Sequence, residues 1–392
     1  MSLATFFRIK QATCRVPQSR FSSPALHVAL WMIWTPLLAQ ADWPMHRGNS
    51  QLQGTVEAGA PSKAELAWTY NAGKPVKAAA AIAQGRVFFG DDAGGIHALD
   101  LATGKPLWTF KTEASIEAAP LVLDGVVFLG SSDANLYALD AATGKLKWKY
   151  ATGDKVLGGA NFAKNPNGEG IWVLVGSYDS KLHCVDAATG KAVWSHATDN
   201  YINGTPAILP TGEVLFGGCD SFIHVVNLAD GKELRQIESE AYIASSAAVR
   251  DGVGYVGNYG NIVIAFDPKS GEVKWKYRER NFPYFSSAAV TADRVIIGGR
   301  DKRLHAIDRA TGKGVWTFQT RGQVDSSPVV FQDAVIVGSE DGRLYCVNLS
   351  DGQERWAYEA GAPLTASPAV SGGFVVIGAE DGNVFCFREG KK

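Results

Sequence analysis

The chain has little of what would build a disulfide scaffold, a haem site or a nucleic-acid surface. It carries five cysteines and three methionines in 392 residues. Cys184, Cys219, Cys346 and Cys386 follow the N-terminal region, no two of them close in sequence, so they make no disulfide framework. A Cys-x-x-Cys-His haem attachment and a Gly-x-Ser-x-Gly nucleophile elbow are both missing. Thirty-eight Lys and Arg against thirty-nine Asp and Glu leave a formal charge of −1, with no global field for nucleic acid. A hydrophobic content of 46% argues against both a disordered chain and a multispan membrane protein.

What is present begins with a leader. Arg8, Lys10, Arg15 and Arg20 precede an apolar run from Pro24 to Leu38 that ends in Ala39-Gln40-Ala41. This reads as a secretory signal peptide cleaved before Asp42, the run being short for a membrane span. Removing it takes away those four cations and no acid, so the formal charge falls from −1 to −5. A mature chain that is periplasmic or secreted, with no transmembrane span, is expected. Forty-three glycines among many aromatic residues favour short strands and tight turns, hence an all-β fold.

A repeat dominates the rest. Ala98-Leu-Asp100-Leu-Ala-Thr-Gly104-Lys105-Pro-Leu-Trp108 recurs from Ala138 to Trp148 and from Ala306 to Trp316. Weaker copies run from Cys184 to Trp194, Ala265 to Trp275 and Cys346 to Trp356, and a Val226 to Arg235 copy puts Arg where Trp is expected. The docking positions, Trp68, Trp108, Trp148, Trp194, Arg235, Trp275, Trp316 and Trp356, are spaced by about forty residues, the period of a four-stranded propeller blade. Blade three alone is longer, by a loop at Asn165-Pro166-Asn167-Gly168-Glu169. Inner strands starting at residues 78, 118, 158, 204, 245, 286, 326 and 366 give eight blades of four antiparallel strands. The eighth lacks an outer strand, whereas residues 65–70 form an outer strand with no blade before it. Each defect cures the other if the N-terminal strand closes the ring. The expected organisation is a signal peptide over 1–41, a lead-in over 42–64 and a propeller over 65–390.

These repeats resemble the pyrroloquinoline-quinone-type propeller repeats, and Asp42-Trp43-Pro44-Met45-His46-Arg47-Gly48-Asn49 is similar to the lead-in of bacterial propellers of that group. The resemblance implies one of two functional branches, quinone-dependent alcohol dehydrogenases or non-enzymatic BamB-like propellers. In the dehydrogenases it implies a quinone stacked between a channel-floor Trp and a vicinal Cys-Cys disulfide, with calcium held by acidic and amide side chains. Here no two cysteines are adjacent, and seven of the nine Trp beyond residue 41 occupy docking positions, leaving Trp43 and Trp172. No cofactor, no metal and no enzymatic activity are therefore expected, and a monomeric protein-binding scaffold of the BamB-like kind is the favoured reading. Its lipid-attachment cysteine is lacking, since Cys14 precedes the apolar segment. A quinone enzyme and a carbohydrate-binding propeller remain the alternatives.

His97, His183, His224 and His305 share one repeat position, which ring geometry spreads around the blades, so interblade packing is expected of them rather than metal ligation. Positions that break the repeat are better candidates. Residues leading into the inner strands and residues of the loops between second and third strands should meet at one channel mouth. Blades seven, eight, one and two would place Asp325, Glu340, Glu380, Asp92 and Glu117 there. Blades three to six would place Tyr178, Tyr201, Tyr242, Tyr259, Tyr284, Phe285 and Arg300 there. Exposed Tyr and Arg are frequent interface anchors, so this mouth is the candidate binding face, for an envelope or secreted protein or for carbohydrate.

Overall fold

The computed structural model describes residues 42–390; the leader expected over 1–41 lies outside them. Thirty-two strands form eight four-stranded antiparallel sheets, the blades of a propeller. Blade one shows the plan: an inner strand Ala81–Ala83, then Arg86–Gly90, Gly95–Asp100 and an outer Pro106–Lys111. Second and third strands are buried almost throughout, while outer strands alternate between covered and exposed residues, as strands with one solvated face do. The hydrophobic core is divided into clusters lying within blades and along the seams between them.

The repeat motif builds each seam. Asp100 Oδ1 accepts hydrogen bonds from the Thr103 amide at 2.9 Å and its hydroxyl at 2.6 Å, holding the turn in which Gly104 takes φ 68°. The indole of Trp68 lies over that glycine, 2.6 Å from where a Cβ would stand, and its Nε1 donates to the Leu101 carbonyl at 2.8 Å. The same donation is made by Trp108 to Ala141, Trp148 to Ala187, Trp194 to Leu228, Trp275 to Arg309, Trp316 to Leu349 and Trp356 to Pro61. Arg235 replaces the indole by donating from Nη1 to the Pro268 carbonyl at 2.7 Å. Opposite each Trp across the strand pair stands a small residue, Ala or Cys, which is why Cys184, Cys346 and Cys386 are buried free thiols.

Two details of register differ from the sequence expectation. Arg235 faces Val225, so that copy of the repeat begins one residue earlier than Val226, with a bulge between the two. The inner strands begin three residues later than the small-residue runs, at Ala81, Leu121, Asn161, Ala207, Ala248, Ala289, Val329 and Ala369. The residues before them line the axis, where backbone amides bond to the next blade's side chains instead of to a strand: Ser246 N donates to Ser287 Oγ, Ser287 N to Ser327 Oγ and Ser327 N to Ser367 Oγ.

Closure is made by the N-terminal strand Ala64–Asn71, which pairs antiparallel with Asn383–Glu389 and completes blade eight. The edge of Asn383–Glu389 is thereby covered, and blade eight gains the fourth strand that the other blades have. The segment before this strand has a second task. It passes from blade to blade over one end of the ring, pairing Trp43 with Ile82, then bonding Val122 N to Pro44 O, Ile208 N to Ser50 O, Val249 N to Gln51 O, Val290 N to Gln53 O and Val330 N to Gly54 O.

Two outcomes follow. Deleting residues 42–71 uncovers the edge of blade eight and removes this cross-link, so the truncated chain should aggregate or lose its cooperative thermal transition, as followed by circular dichroism and light scattering. Gly104→Ala should cost about 1–3 kcal/mol in urea unfolding, because a Cβ meets the Trp68 ring in a left-handed backbone.

Candidate functional site

The two sets of repeat-breaking positions do meet at one end of the channel. In all eight blades the loop residue donates its amide to the carbonyl two residues before the position leading into an inner strand. Asp92 bonds to Pro75, Ser132 to Ser115, Tyr178 to Lys155, Cys219 to Tyr201, Tyr259 to Tyr242, Arg300 to Pro283, Glu340 to Gln323 and Glu380 to Pro363. Below this rim lies a cavity of about 340 Å³ walled by Ala79, Ala119, Gly159, Thr205, Ser246, Ser287, Ser327 and Ser367. Its upper wall includes Lys77, Glu117, Asn203 and Phe285, and His46 of the N-terminal segment lines it as well.

The aromatic half of the rim packs in two groups. Tyr178 stacks on Tyr201 with ring centroids 4.6 Å apart and planes 3° from parallel. Tyr242 meets Tyr259 edge-on at 6.4 Å, Tyr259 packs on Phe285 at 4.4 Å, and the Arg300 guanidinium lies 3.7 Å from the Phe285 centroid. Tyr201, Tyr242 and Tyr259 remain 45%, 51% and 47% exposed, far more than a packing role requires. Tyr284 does not belong to this face: it is 1% exposed and packs edge-on to His305 at 5.4 Å. It precedes Phe285 directly, and in extended chain neighbouring side chains point to opposite sides, so one faces the rim and the other the core.

Charge on the rim is more evenly matched than the separate acidic and basic halves expected from sequence. Arg300 grips Asp325 with two nitrogens, Nη2 reaching Oδ2 at 2.6 Å, so that the basic residue of one half neutralises an acid of the other. Lys77 does the same for Asp92 at 2.7 Å. Glu117 is exposed, Thr365 donates to Glu380 at 2.9 Å, and Glu340 is pushed above the usual carboxylate range by burial and by nearby Asp325 and Glu380.

The histidines at the shared third-strand position each pair with an aspartate: His97 with Asp91 at 2.8 Å, His183 with Asp179 at 3.0 Å, His224 with Asp220 at 2.8 Å and His305 with Asp301 at 3.1 Å. Tyr137 and Tyr345 donate to Asp133 and Asp341 in the same way, so this position ties each loop to its blade.

With this geometry the chain can be placed among known proteins. The family model described as outer membrane protein assembly factor BamB matches residues 52–166 and 179–391. The chain belongs to that family. BamB from Moraxella catarrhalis superposes with a TM-score of 0.69 at 21% identity, covering 83% of this chain and 100% of that one. Quinohemoprotein alcohol dehydrogenase ADHIIG from Pseudomonas putida HK5 gives 0.76 at 14% identity, covering 90% of this chain and 81% of that one. At these identities the likeness is one of fold. The quinoprotein ethanol dehydrogenase of Pseudomonas aeruginosa is 35% identical over 66 residues, which are 17% of this chain and 10% of that enzyme. The BamB-family match thus takes in the propeller and begins at Leu52, inside the segment that crosses the channel.

That segment supplies the residues sequence reasoning passed over. Arg47 is 2% exposed with φ 62°, and none of its guanidinium nitrogens has a hydrogen-bond partner among the described residues. Burial lowers its pKa to about 9. His46 beside it is lowered to about 3, first by burial and then by the Arg47 charge. Between about pH 3 and the ordinary histidine value near 6.5, the unfolded chain therefore takes up a proton at His46 that the folded chain refuses. Stability from this group is complete above that upper value and declines as pH falls. His46→Asn should flatten the dependence of Tm on pH in this window and reduce proton uptake on unfolding by up to about one per chain. Calorimetry in buffers of different ionisation enthalpy measures both.

Proposed function

We propose that this chain is an exported, non-enzymatic scaffold whose aromatic channel mouth holds an extended segment of an envelope or secreted protein. The observation that carries this reading is the aromatic arc of the rim, where Tyr178 stacks on Tyr201 and where Tyr242, Tyr259, Phe285 and Arg300 pack in succession, with three tyrosines left in solvent. Rings already stacked on one another lose little freedom when a partner covers them, and Tyr and Arg supply most interface hot spots. Membership of a family described by outer-membrane assembly agrees with an envelope location and a protein partner. The residues do not match the quinone clamp implied by resemblance. Cys184, Cys346 and Cys386 are buried in the blades, Cys219 accepts from Asn203 at 2.9 Å, and the cavity wall contains small side chains and no Trp.

Tyr201→Ala with Tyr242→Ala should leave Tm nearly unchanged, since exposed substitutions shift stability by about 0.5 kcal/mol or less. Capture of partners from envelope extract should fall about 30-fold, the equivalent of a lost hot spot of about 2 kcal/mol. Equal capture by the double variant would reduce the arc to a solvated face, and elution by soluble glycans would favour carbohydrate. Incubated with pyrroloquinoline quinone and calcium, the protein should neither retain the quinone nor reduce a dye with alcohols; turnover above a cofactor-only control would replace the scaffold by a dehydrogenase.

A further inference from the structure

Among the described residues, one group of three metal-ligating side chains brings a donor atom from each within 4.8 Å of the others: His196, His224 and Glu233. It lies at the seam between blades three and four. His196 comes from the outer strand Ala192–Ala197 of blade three, His224 from the third strand Phe222–Asn227 of blade four, and Glu233 from that blade's outer strand Glu233–Glu238.

Other seams show what is unusual here. His183 Nδ1 meets the Tyr150 hydroxyl at 3.0 Å and His305 Nδ1 meets that of Tyr277 at 3.1 Å, each tyrosine standing two residues after a docking Trp of the preceding blade. At the blade four seam the residue two after Trp194 is His196, and the Nδ1 of His224 faces Glu233 Oε1 at 2.8 Å. The tyrosine hydroxyl that meets the histidine at those seams has no counterpart here, and a carboxylate oxygen faces His224 Nδ1 in its stead.

The outer hydrogen bonds decide where the ring protons sit. Asp220 Oδ2 lies 2.8 Å from His224 Nε2, and the Gly231 carbonyl lies 3.1 Å from His196 Nδ1. Both partners only accept, so in the neutral rings those nitrogens carry hydrogen and the lone pairs fall on His224 Nδ1 and His196 Nε2. Gln236 Nε2 donates to Glu233 Oε2 at 3.1 Å, leaving Oε1 to face the two histidines. Two lone pairs and a carboxylate oxygen thus converge, each ligand held from behind by a carboxylate, a carbonyl or an amide. That is the outer-shell arrangement typical of histidine metal sites. His224 also stacks on Phe216 at 5.1 Å, which shields the site on its inner side, while Glu233 is exposed enough for water to enter.

We propose that His196 Nε2, His224 Nδ1 and Glu233 Oε1 bind a divalent transition-metal ion of the zinc class, with water completing a tetrahedron. Two imidazoles and one carboxylate suit that class better than magnesium or calcium. Donors of a tetrahedral zinc stand roughly 3.3 Å apart at ordinary bond lengths. The oxygen of Glu233 is 2.8 Å from His224 Nδ1 and 3.8 Å from His196 Nε2, distances that bracket this value. The competing occupant is a proton shared between His224 and Glu233.

The test is calorimetric titration of the chelator-stripped mature chain with zinc chloride, with cobalt absorption reporting geometry. Wild type should take up one equivalent with tetrahedral cobalt bands and a raised Tm. His196→Tyr, which installs the side chain used at the Tyr150 and Tyr277 seams, should weaken zinc about 100-fold while keeping the wild-type Tm in chelator. Glu233→Gln provides the same comparison should the tyrosine disturb folding. Absence of saturable zinc binding by wild type would overturn the site and leave the proton in place. Undiminished binding by both variants would place any bound zinc elsewhere and equally overturn it.

Discussion

An indole laid over a glycine joins most of the neighbouring blades in this ring. The glycine must sit in a turn with positive φ, and Trp68 stands 2.6 Å from where its Cβ would be, so the ring fills the space that the missing side chain leaves. The indole nitrogen then donates to a carbonyl of the same turn, which removes the cost of burying it. Arg235 keeps the hydrogen bond when the ring is lost, which suggests that satisfying this carbonyl matters as much as the apolar contact.

Once the seams carry the architecture, the two ends of the channel are free to differ. One end is crossed by the N-terminal segment, whose backbone bonds reach successive inner strands before its last strand closes blade eight. At the other end, the loops are tied down by backbone hydrogen bonds and by aspartates pairing with His or Tyr, so their side chains can vary without loss of the fold. The aromatic arc is built on that freedom. It belongs to the surface, whereas Tyr284, next to Phe285 in sequence, belongs to the core.

The seam between blades three and four shows the same logic turned outward. A position that carries a tyrosine before His183 and His305 carries a histidine before His224, and a glutamate enters from the strand across the turn. The fold tolerates this because the Trp194 contact and the Asp220 pairing remain in place on either side.

Sequence alone determined the number of blades, the closing strand and the docking positions, because each is written locally in a motif repeated about every forty residues. Even with Trp lost at Arg235 the spacing stays legible, although the pairing of Arg235 with Val225 starts that copy one residue before Val226. Tertiary structure decided what has no periodic signature. Whether an aromatic residue near an inner strand faces solvent, as Tyr242 does, or the core, as Tyr284 does, depends on a side-chain direction that is set by tertiary packing. Arg300 and Asp325 stand on adjacent blades where the two halves of the rim meet, and the side-chain geometry pairs them across that boundary. His196 and His224 are residues of different blades at different repeat positions, so comparing equivalent positions could not join them. The seam does so because packing one sheet against another sets residues distant along the chain side by side.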